Sequence, residues 1–207
     1  VNASNPVVCG NLVFISASYD TGGAMLEIQP DMSCKKLWAT DELGTHFGTS
    51  LVADGILYGF DGRHQQNAQL TALHADDGST LWRKQLQWID VPKDAGARPV
   101  TLAIGRGALI RADGAFLCLG ERGDLAWLEL SAKECKELSR TKLFDAPETW
   151  CPPVISRGLL YICQNHTSAE GKPSRLLCYD LRDSGLAVPD SDNPAPPQGC
   201  IPGPVGR

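Results

Sequence analysis

The sequence lacks several features that would point to particular classes of protein. It has no run of lysine and arginine and a net charge of −5, so nucleic acid and anionic membranes are not expected partners. Its longest apolar runs have the length of a β-strand, so no membrane span is expected. No Cys-x-x-Cys spacing occurs among its eight cysteines, so no metal site is predicted.

Helical patterning and catalytic groups are scarce as well. No apolar stripe repeats with the helical period of about 3.6 residues. Short β-branched and aromatic runs are separated instead by turns that contain Gly and Asp, which indicates strands throughout. The four histidines are scattered and do not assemble a convincing Ser-His-Asp triad, so no catalytic residue is predicted.

A unit of four strands repeats along the chain. Each unit opens with an apolar hairpin that has Gly near its turn, as in "VVCGNLVFIS" (7–16), "LVADGILYGF" (51–60), "LIRADGAFLCL" (109–119) and "VISRGLLYIC" (154–163). A third strand follows each hairpin, and a fourth strand follows in the first three units. An insertion around "WIDVPKDAGARP" (88–99) lengthens the middle interval. Four antiparallel strands in about 45 residues are typical of a β-propeller blade.

We therefore predict an all-β protein, a β-propeller of about four blades whose last blade lacks its fourth strand. The propeller is predicted to cover residues 1–184, with blades at about 6–45, 49–88, 100–145 and 150–183. Residues 185–207 carry six of the fourteen prolines and are predicted to form an extended tail or linker.

The ends of the chain lead to an expectation about the ring. The chain begins at Val1 rather than Met, and its last predicted strand is the third of a blade. We expect it to be the C-terminal half of a propeller of roughly seven or eight blades, with the missing strand supplied from upstream. The alternative is a homodimer in which two copies close one ring.

The stretch "ALHADDGSTLW" (72–82) combines a third strand, its turn and a fourth strand. Asp77-Gly78 suits a hairpin turn that needs positive φ. Trp82, like Trp38 in the first unit, is predicted to pack between neighbouring blades while its N–H finds a carbonyl. In the third unit Leu138 lies near that place.

These residues carry a resemblance to a known family. "ALHADDGSTLW" resembles the repeat of pyrroloquinoline-quinone-like propellers, roughly A-x-D-x-x-T-G-x-x-x-W, but has His74 and Ser79 at flanking places and Asp77 where Thr is common. The stretches "HFGTSLVADGILYGFDG" (46–62), "GRGALIRADGAFLCLGERGDLAWLELS" (105–131) and "TWCPPVISRGLLYI" (149–162) resemble the C-terminal half of quinone-binding-like propeller proteins. The resemblance covers about residues 5 to 183 and implies the propeller fold.

The resemblance implies two functions of different classes. The first is a non-catalytic, exported binding or scaffold module, similar to the propeller lipoprotein of outer-membrane protein assembly, with a protein or the rest of the propeller as partner. The alternative is a periplasmic dehydrogenase that uses pyrroloquinoline quinone with Ca²⁺. Such enzymes stack the quinone between a Trp and an adjacent Cys–Cys disulfide, and this sequence has no Cys-Cys pair. No cofactor is therefore evident, and a sugar- or polymer-binding propeller is a third hypothesis.

Loops at the end of the propeller axis offer candidate ligand-binding residues. The turns that enter each blade and those between second and third strands contribute His46, Asp61, Arg63, Arg106, Trp150 and Asn165. His46 is interpreted either as a general base or as a hydrogen-bonded structural histidine. The segment 121–124 is interpreted as a solvated hairpin tip.

The cysteines leave their pairing open. An even number of them hints at an oxidising compartment, and we expect a periplasmic or extracellular protein. Cys163 and Cys178 are predicted to lie opposite each other on a hairpin, either as free thiols or as a disulfide. Cys200, in the tail, is a further candidate for pairing with the body or with another chain.

Overall fold

The structure, a computed structural model, describes residues 3–91, 96 and 98–182. The predicted tail at 185–207, with Cys200, lies outside the described residues. The strands are β1 (Val7–Cys9), β2 (Leu12–Ala17), β3 (Gly22–Ile28), β4 (Cys34–Thr40), β5 (Leu51–Ala53), β6 (Ile56–Asp61), β7 (Gln69–His74), β8 (Thr80–Lys84), β9 (Gln87–Asp90), β10 (Val100–Ala103), β11 (Ala108–Ala112), β12 (Ala115–Leu119), β13 (Asp124–Leu130), β14 (Cys135–Lys142), β15 (Val154–Ser156), β16 (Leu159–Gln164) and β17 (Arg175–Asp180). A 3₁₀ turn, Gln65–Asn67, lies between β6 and β7.

These strands form antiparallel sheets in which sequence neighbours pair. The first sheet is β1-β2-β3-β4, the second β5-β6-β7-β8, the third β11-β12-β13-β14 and the fourth β15-β16-β17. Strands β9 and β10 pair only with each other within the described part of the chain, and we call them the inserted hairpin. The predicted all-β propeller is confirmed as a partial ring of such sheets.

Tight turns explain why each sheet opens with a short hairpin. In the second and third sheets a two-residue loop, Asp54-Gly55 or Asp113-Gly114, joins the first two strands, and all four of these residues have positive φ. This is the type I′ geometry, whose twist matches that of the flanking strands. Asp tolerates left-handed backbone and Gly adopts it freely, so the Asp-Gly pairs fix the strand register.

A β-bulge recurs between the third and fourth strands. In the first sheet Trp38 lies opposite Met25 while Lys36 lies opposite Leu26, so Leu37 is the extra residue. The same register shift occurs in the second and third sheets, where the extra residues are Leu81 and Leu138. The residue after the bulge is Trp38, Trp82 or Ser139, so Ser139, and not Leu138, stands where the first two sheets have tryptophan.

Apolar side chains fill the space between successive sheets. The seam between the first and second sheets contains the buried residues Phe14, Met25, Leu43, Leu57 and Leu73. A larger cluster around Tyr58 and Phe116 joins the second sheet to the third, and another around Leu117 and Ile162 joins the third to the fourth. Burial of both faces of the central strands against neighbours is what keeps the blades together.

One pairing differs from its prediction. Cys163 and Cys178 do not lie opposite each other, because the register places Leu176 opposite Cys163 and Tyr161 opposite Cys178. The two cysteines are therefore offset by two residues along neighbouring strands. Among the described residues, the structure has no helix with the length and apolar character that membrane crossing requires.

Candidate functional site

The loops between the sheets converge on a buried ion pair. Arg106, just before β11, faces Glu121, just after β12, with 2.9 Å from Nε to Oε1 and 2.6 Å from a terminal guanidinium nitrogen to the same oxygen. The amide N–H of Arg106 also donates to Glu121 Oε2 at 2.8 Å. Gly105 permits this approach, since a Cβ there would lie 2.6 Å from the same oxygen. The carboxylate is thus fully occupied by charge-assisted hydrogen bonds.

Glu121 corrects the interpretation of its hairpin. The side chain is 1% exposed, so residue 121 is not part of a solvated tip, and Asp124 is buried too, with Lys142 Nζ 2.9 Å from its carboxylate. Nothing in the local sequence distinguishes this Glu from an exposed one. Its burial follows from Arg106, whose counter-charge offsets the cost of removing a carboxylate from water.

His46 adds a third member to this cluster. A guanidinium nitrogen of Arg106 lies 2.7 Å from His46 Nδ1. Because a guanidinium can only donate, Nδ1 accepts and the neutral ring carries its proton on Nε2. Burial and the Arg106 charge lower the pKa of His46, which keeps the ring neutral. With Nδ1 engaged, the geometry assigns His46 to positioning Arg106.

A row of aromatic rings crosses the same end of the molecule. The ring of His46 lies 3.9 Å from that of Phe47, and Phe47 stacks on Trp150 at 4.0 Å and 10°. At the two ends, Tyr19 meets His46 edge-on at 5.1 Å and His166 lies 6.3 Å from Trp150. We call these five residues the axial row. It runs from the loop after β2 in the first sheet to the loop after β16 in the fourth.

Arginine side chains flank the axial row. The guanidinium carbon of Arg63 lies 4.6 Å from the centroid of the Tyr19 ring, and that of Arg106 lies 5.1 Å from the centroid of Phe47. Arg106 also donates to the main-chain oxygen of Arg63 at 3.1 Å. These contacts combine cation–π attraction with a hydrogen bond, so the two arginines are held rather than free to swing.

Two predicted residues make contacts outside this cluster. Asp61 accepts from the amide of Gly44 at 2.8 Å and pairs with Arg83, which also binds Glu42. Asn165 accepts a hydrogen bond at its main-chain oxygen from Ser174, while its buried side-chain oxygen has no partner in the structure. The structure therefore brings together His46, Arg63, Arg106 and Trp150, and gives Asp61 a network of its own.

Phe47 covers one face of the Trp150 ring, with 4.0 Å between the ring centroids. The indole Nε1 of Trp150 is buried without a partner, and a cavity of about 280 Å³ lies beside Phe47 and Trp150. The described residues also contain no group of three metal-ligating side chains.

The tryptophans after the bulges lie at the outer seams. Trp38 Nε1 donates to the main-chain oxygen of Ala75 in the second sheet at 3.1 Å. Trp82 Nε1 donates to that of Ser131 in the third sheet at 2.8 Å. Each indole thus spans from the fourth strand of one sheet to the turn after the third strand of the next.

The inserted hairpin borders a cleft of about 810 Å³ between the second and third sheets. Its walls carry amide and charged side chains from both sheets: Gln65, Gln66, Gln85, Arg122, Lys142 and Asp145. Trp88 of the hairpin lies against Arg140 of β14, with 3.6 Å from the guanidinium carbon to the ring centroid. Sequence reasoning treated this segment as an insertion only, although Trp88, Ile89 and Val91 are residue types that are enriched in strands.

Comparison with known proteins agrees with this architecture. Residues 1–84 match the family model described as outer membrane protein assembly factor BamB. In this part of the chain the predicted resemblance to the quinone-like propeller family is confirmed. No curated protein sequence matches the chain.

Solved structures extend the likeness to most of the chain. A crystal structure of BamB from Moraxella catarrhalis is 13% identical, with a TM-score of 0.55 over 86% of this chain and 50% of that one. The chain has the fold of a BamB propeller. It spans about half the length of that protein. A protein from Lactobacillus plantarum is 13% identical, with a TM-score of 0.39 over 85% of this chain and 70% of that one.

Proposed function

We propose that this chain is a non-catalytic propeller scaffold that binds an extended segment of another protein along the inserted hairpin. The observation that carries the proposal is the hairpin itself. Strands β9 and β10 pair only with each other in the described part of the chain, so each has an outer edge of unpaired N–H and C=O groups. Such edges accept an additional strand from a partner.

Exposed apolar side chains support an extended, partly apolar segment as the partner of the inserted hairpin. Ile89 of β9 is 70% exposed, and Val91, directly after that strand, is 65% exposed. A partner strand with alternating apolar residues would cover them while its backbone completes the sheet. The adjoining cleft supplies Gln85 and Gln87, whose amides both donate and accept and so suit the polar side chains of such a strand.

The likeness to BamB propellers supports a proposal about where the protein acts and what it binds. The matched family is described as an outer membrane protein assembly factor. We propose that this chain is likewise exported, to the periplasm or the cell exterior, and that its partner is an outer-membrane protein segment with alternating apolar residues. The remainder of a larger propeller is a second proposed partner, because β17 has no fourth strand beside it among the described residues.

The decisive experiment uses peptides that differ at one backbone edge. A synthetic peptide with the alternating sequence of an outer-membrane strand is N-methylated at every second residue, so that one edge loses its donors. A second peptide is methylated on the opposite edge. If strand addition holds the peptide, one pattern abolishes binding and the other spares it, because only one edge faces the hairpin. Equal affinity of the two peptides would contradict the proposal.

Protein variants locate the binding surface. Ile89→Asp introduces a charge on the hairpin face and is expected to weaken peptide binding at least about tenfold, since burial of that side chain contributes roughly 1.5 kcal/mol or more. Met32→Asp is the matched control, because Met32 is also apolar and 80% exposed but lies in the turn between β3 and β4. Equal weakening by both variants would indicate a different surface.

The quinoprotein alternative has its own readout. The complete protein, loaded with pyrroloquinoline quinone and Ca²⁺, would reduce an artificial dye when given alcohols or sugars. Under the scaffold proposal no such activity appears, and quinone is not retained through gel filtration. Dye reduction that depends on both quinone and Ca²⁺ would replace the scaffold function with that of a dehydrogenase.

A further inference from the structure

Two cysteines near the end of the axial row lie within reach of each other. Cys151 follows Trp150 in the loop before β15, and Cys163 lies on β16. The two thiols lie close enough to interact electrostatically, and no disulfide joins them. This contact joins an exposed loop to the middle strand of the fourth sheet.

Strand register explains how the two residues meet. Val154 lies opposite Tyr161 in the antiparallel pair of β15 and β16. Cys151 lies three residues before Val154 and Cys163 lies two residues after Tyr161, so this register brings both cysteines to the same end of the strand pair. On the other side of β16, Leu176 occupies the position opposite Cys163. Cys178 is two residues further along β17, so Cys151 is the better-placed partner.

The pair lies on the accessible face of the fourth sheet. Along β16, Leu160 and Ile162 point into the buried cluster shared with the third sheet. Side chains alternate along a strand, so Cys163 points to the opposite face. Cys151 is exposed and Cys163 half-buried, so a small oxidant or a partner disulfide can approach them.

We propose that Cys151 and Cys163 form an intramolecular disulfide when the protein meets an oxidising thiol–disulfide partner. The thiolate of Cys151 attacks the disulfide of an oxidoreductase or of oxidised glutathione, and a mixed disulfide forms as one partner thiolate leaves. The thiolate of Cys163 then attacks the Cys151 sulfur and releases the second partner thiolate. Two protein thiols are oxidised to one disulfide, and one partner disulfide is reduced to two thiols.

The bond would fasten the end of the axial row. Trp150 precedes Cys151 directly and stacks on Phe47 at 4.0 Å. Linking residue 151 to β16 would restrict the loop that carries this indole. The inference is independent of the proposed partner binding, because it concerns only the state of two side chains.

The acid–base state of Cys151 sets how fast the bond forms. Burial and the neighbouring Cys163 raise the pKa of Cys151, which lowers its thiolate fraction at neutral pH. Since the thiolate is the attacking species, the rate of exchange with oxidised glutathione should increase as pH rises towards that pKa.

Peptide mapping of the complete chain tests the assignment. The protein is equilibrated in a buffer of reduced and oxidised glutathione, remaining thiols are blocked with N-ethylmaleimide, and the chain is digested without reduction. We expect a cross-linked peptide joining Cys151 to Cys163, lighter by two hydrogen atoms than the sum of its parts. Oxidation should also raise the midpoint of thermal unfolding by roughly 6 °C, as for a loop of about this length.

Two serine variants act as matched controls. Cys151→Ser should abolish both the cross-link and the thermal shift, whereas Cys178→Ser, on the same face of the neighbouring strand, should leave both unchanged. A cross-link between Cys163 and Cys178 would overturn the proposal. So would labelling of both Cys151 and Cys163 by N-ethylmaleimide at every glutathione ratio.

Discussion

The axial and outer ends of the blades are held together in different ways. At the axial end, the Arg106–Glu121 ion pair and the axial row connect loops from all four sheets. At the outer seams, Trp38 and Trp82 each connect one sheet to the next through a single hydrogen bond. Among the described residues the axial contacts occur once, while the outer contact repeats. Loss of one repeated contact should therefore reduce stability less than loss of one member of the buried Arg106–Glu121 pair, which would leave a buried charge unpaired.

Even the repeated contact changes at the third seam. Ser139 stands at the tryptophan position there, and the aromatic ring comes from Trp127, its neighbour across the strand pair. Trp127 packs against the cluster between the third and fourth sheets. An aromatic residue on the adjacent strand therefore covers the seam in place of the missing indole.

Removal of the axial carboxylate should give the largest loss of stability. Glu121→Gln leaves the guanidinium of Arg106, whose side chain is 10% exposed, without a counter-charge. We expect a loss of about 3 to 5 kcal/mol in the free energy of unfolding, measured by urea denaturation. Glu42→Gln is the matched control, because the Glu42–Arg83 pair is half-exposed and should contribute less than about 1 kcal/mol. Equal losses in the two variants would mean that the buried axial pair contributes no more to stability than the half-exposed Glu42–Arg83 pair.

Gly78 provides the sharpest test at the outer seam. It has φ of +74°, and a Cβ there would lie 2.6 Å from the Trp38 ring. Gly78→Ala should cost about 2 to 4 kcal/mol, from left-handed backbone and from displacement of the indole. Gly55→Ala shares the positive φ, at +78°, but meets nothing within 4 Å, so it should cost only about 1 kcal/mol.

Met32 occupies the corresponding position in the turn between β3 and β4, which is one residue shorter: Gln29 binds Ser33 there, whereas His74 binds Ser79. Like Gly78, it precedes a Ser whose amide binds an Asp side chain, and its φ is +66°. Its side chain is 80% exposed. The approach of Trp38 therefore adds a steric requirement for glycine at position 78 that is separate from its positive φ.

The tryptophan hydrogen bonds should have intermediate effects. Trp82→Phe keeps an aromatic ring but removes the donor to Ser131, which is expected to cost about 1 to 2 kcal/mol. Trp38→Phe should cost a similar amount, since its indole also donates to a main-chain oxygen of the next sheet, that of Ala75. Thermal unfolding of both variants measures this. No loss in either would mean that ring packing alone holds the outer seams.

The smallest predicted effect is the pH dependence from His46. Burial and Arg106 lower its pKa below the ordinary value of about 6.5, while Glu121 opposes this and Arg63 acts in both directions. The unfolded chain then binds a proton more readily, so stability should fall as pH drops from 6.5 through the lowered pKa. His46→Gln should flatten that part of the stability profile. An unchanged profile would contradict a neutral His46.

The sequence predicted the strands and turns that repeat along the chain, but not the contacts that depend on a single distant residue. Asp-Gly turns and alternating runs are local signals, so the strands of the propeller followed from them, and the fold is confirmed. The burial of Glu121 depends on an arginine fifteen residues earlier in another loop. The offset between Cys163 and Cys178 depends on the length of the loop between β16 and β17. Neither carries a periodic signal in the sequence.

The central claim is that the inserted hairpin accepts an extended partner strand. Amide hydrogen exchange of the complete chain, with and without the alternating peptide in excess, tests it directly. The account predicts that peptide slows exchange in 87–90 or 100–103 and leaves Val7–Cys9 of the first sheet unchanged. Protection confined to loops of the axial row, with the hairpin unaffected, would contradict the claim and place the binding surface at the propeller axis.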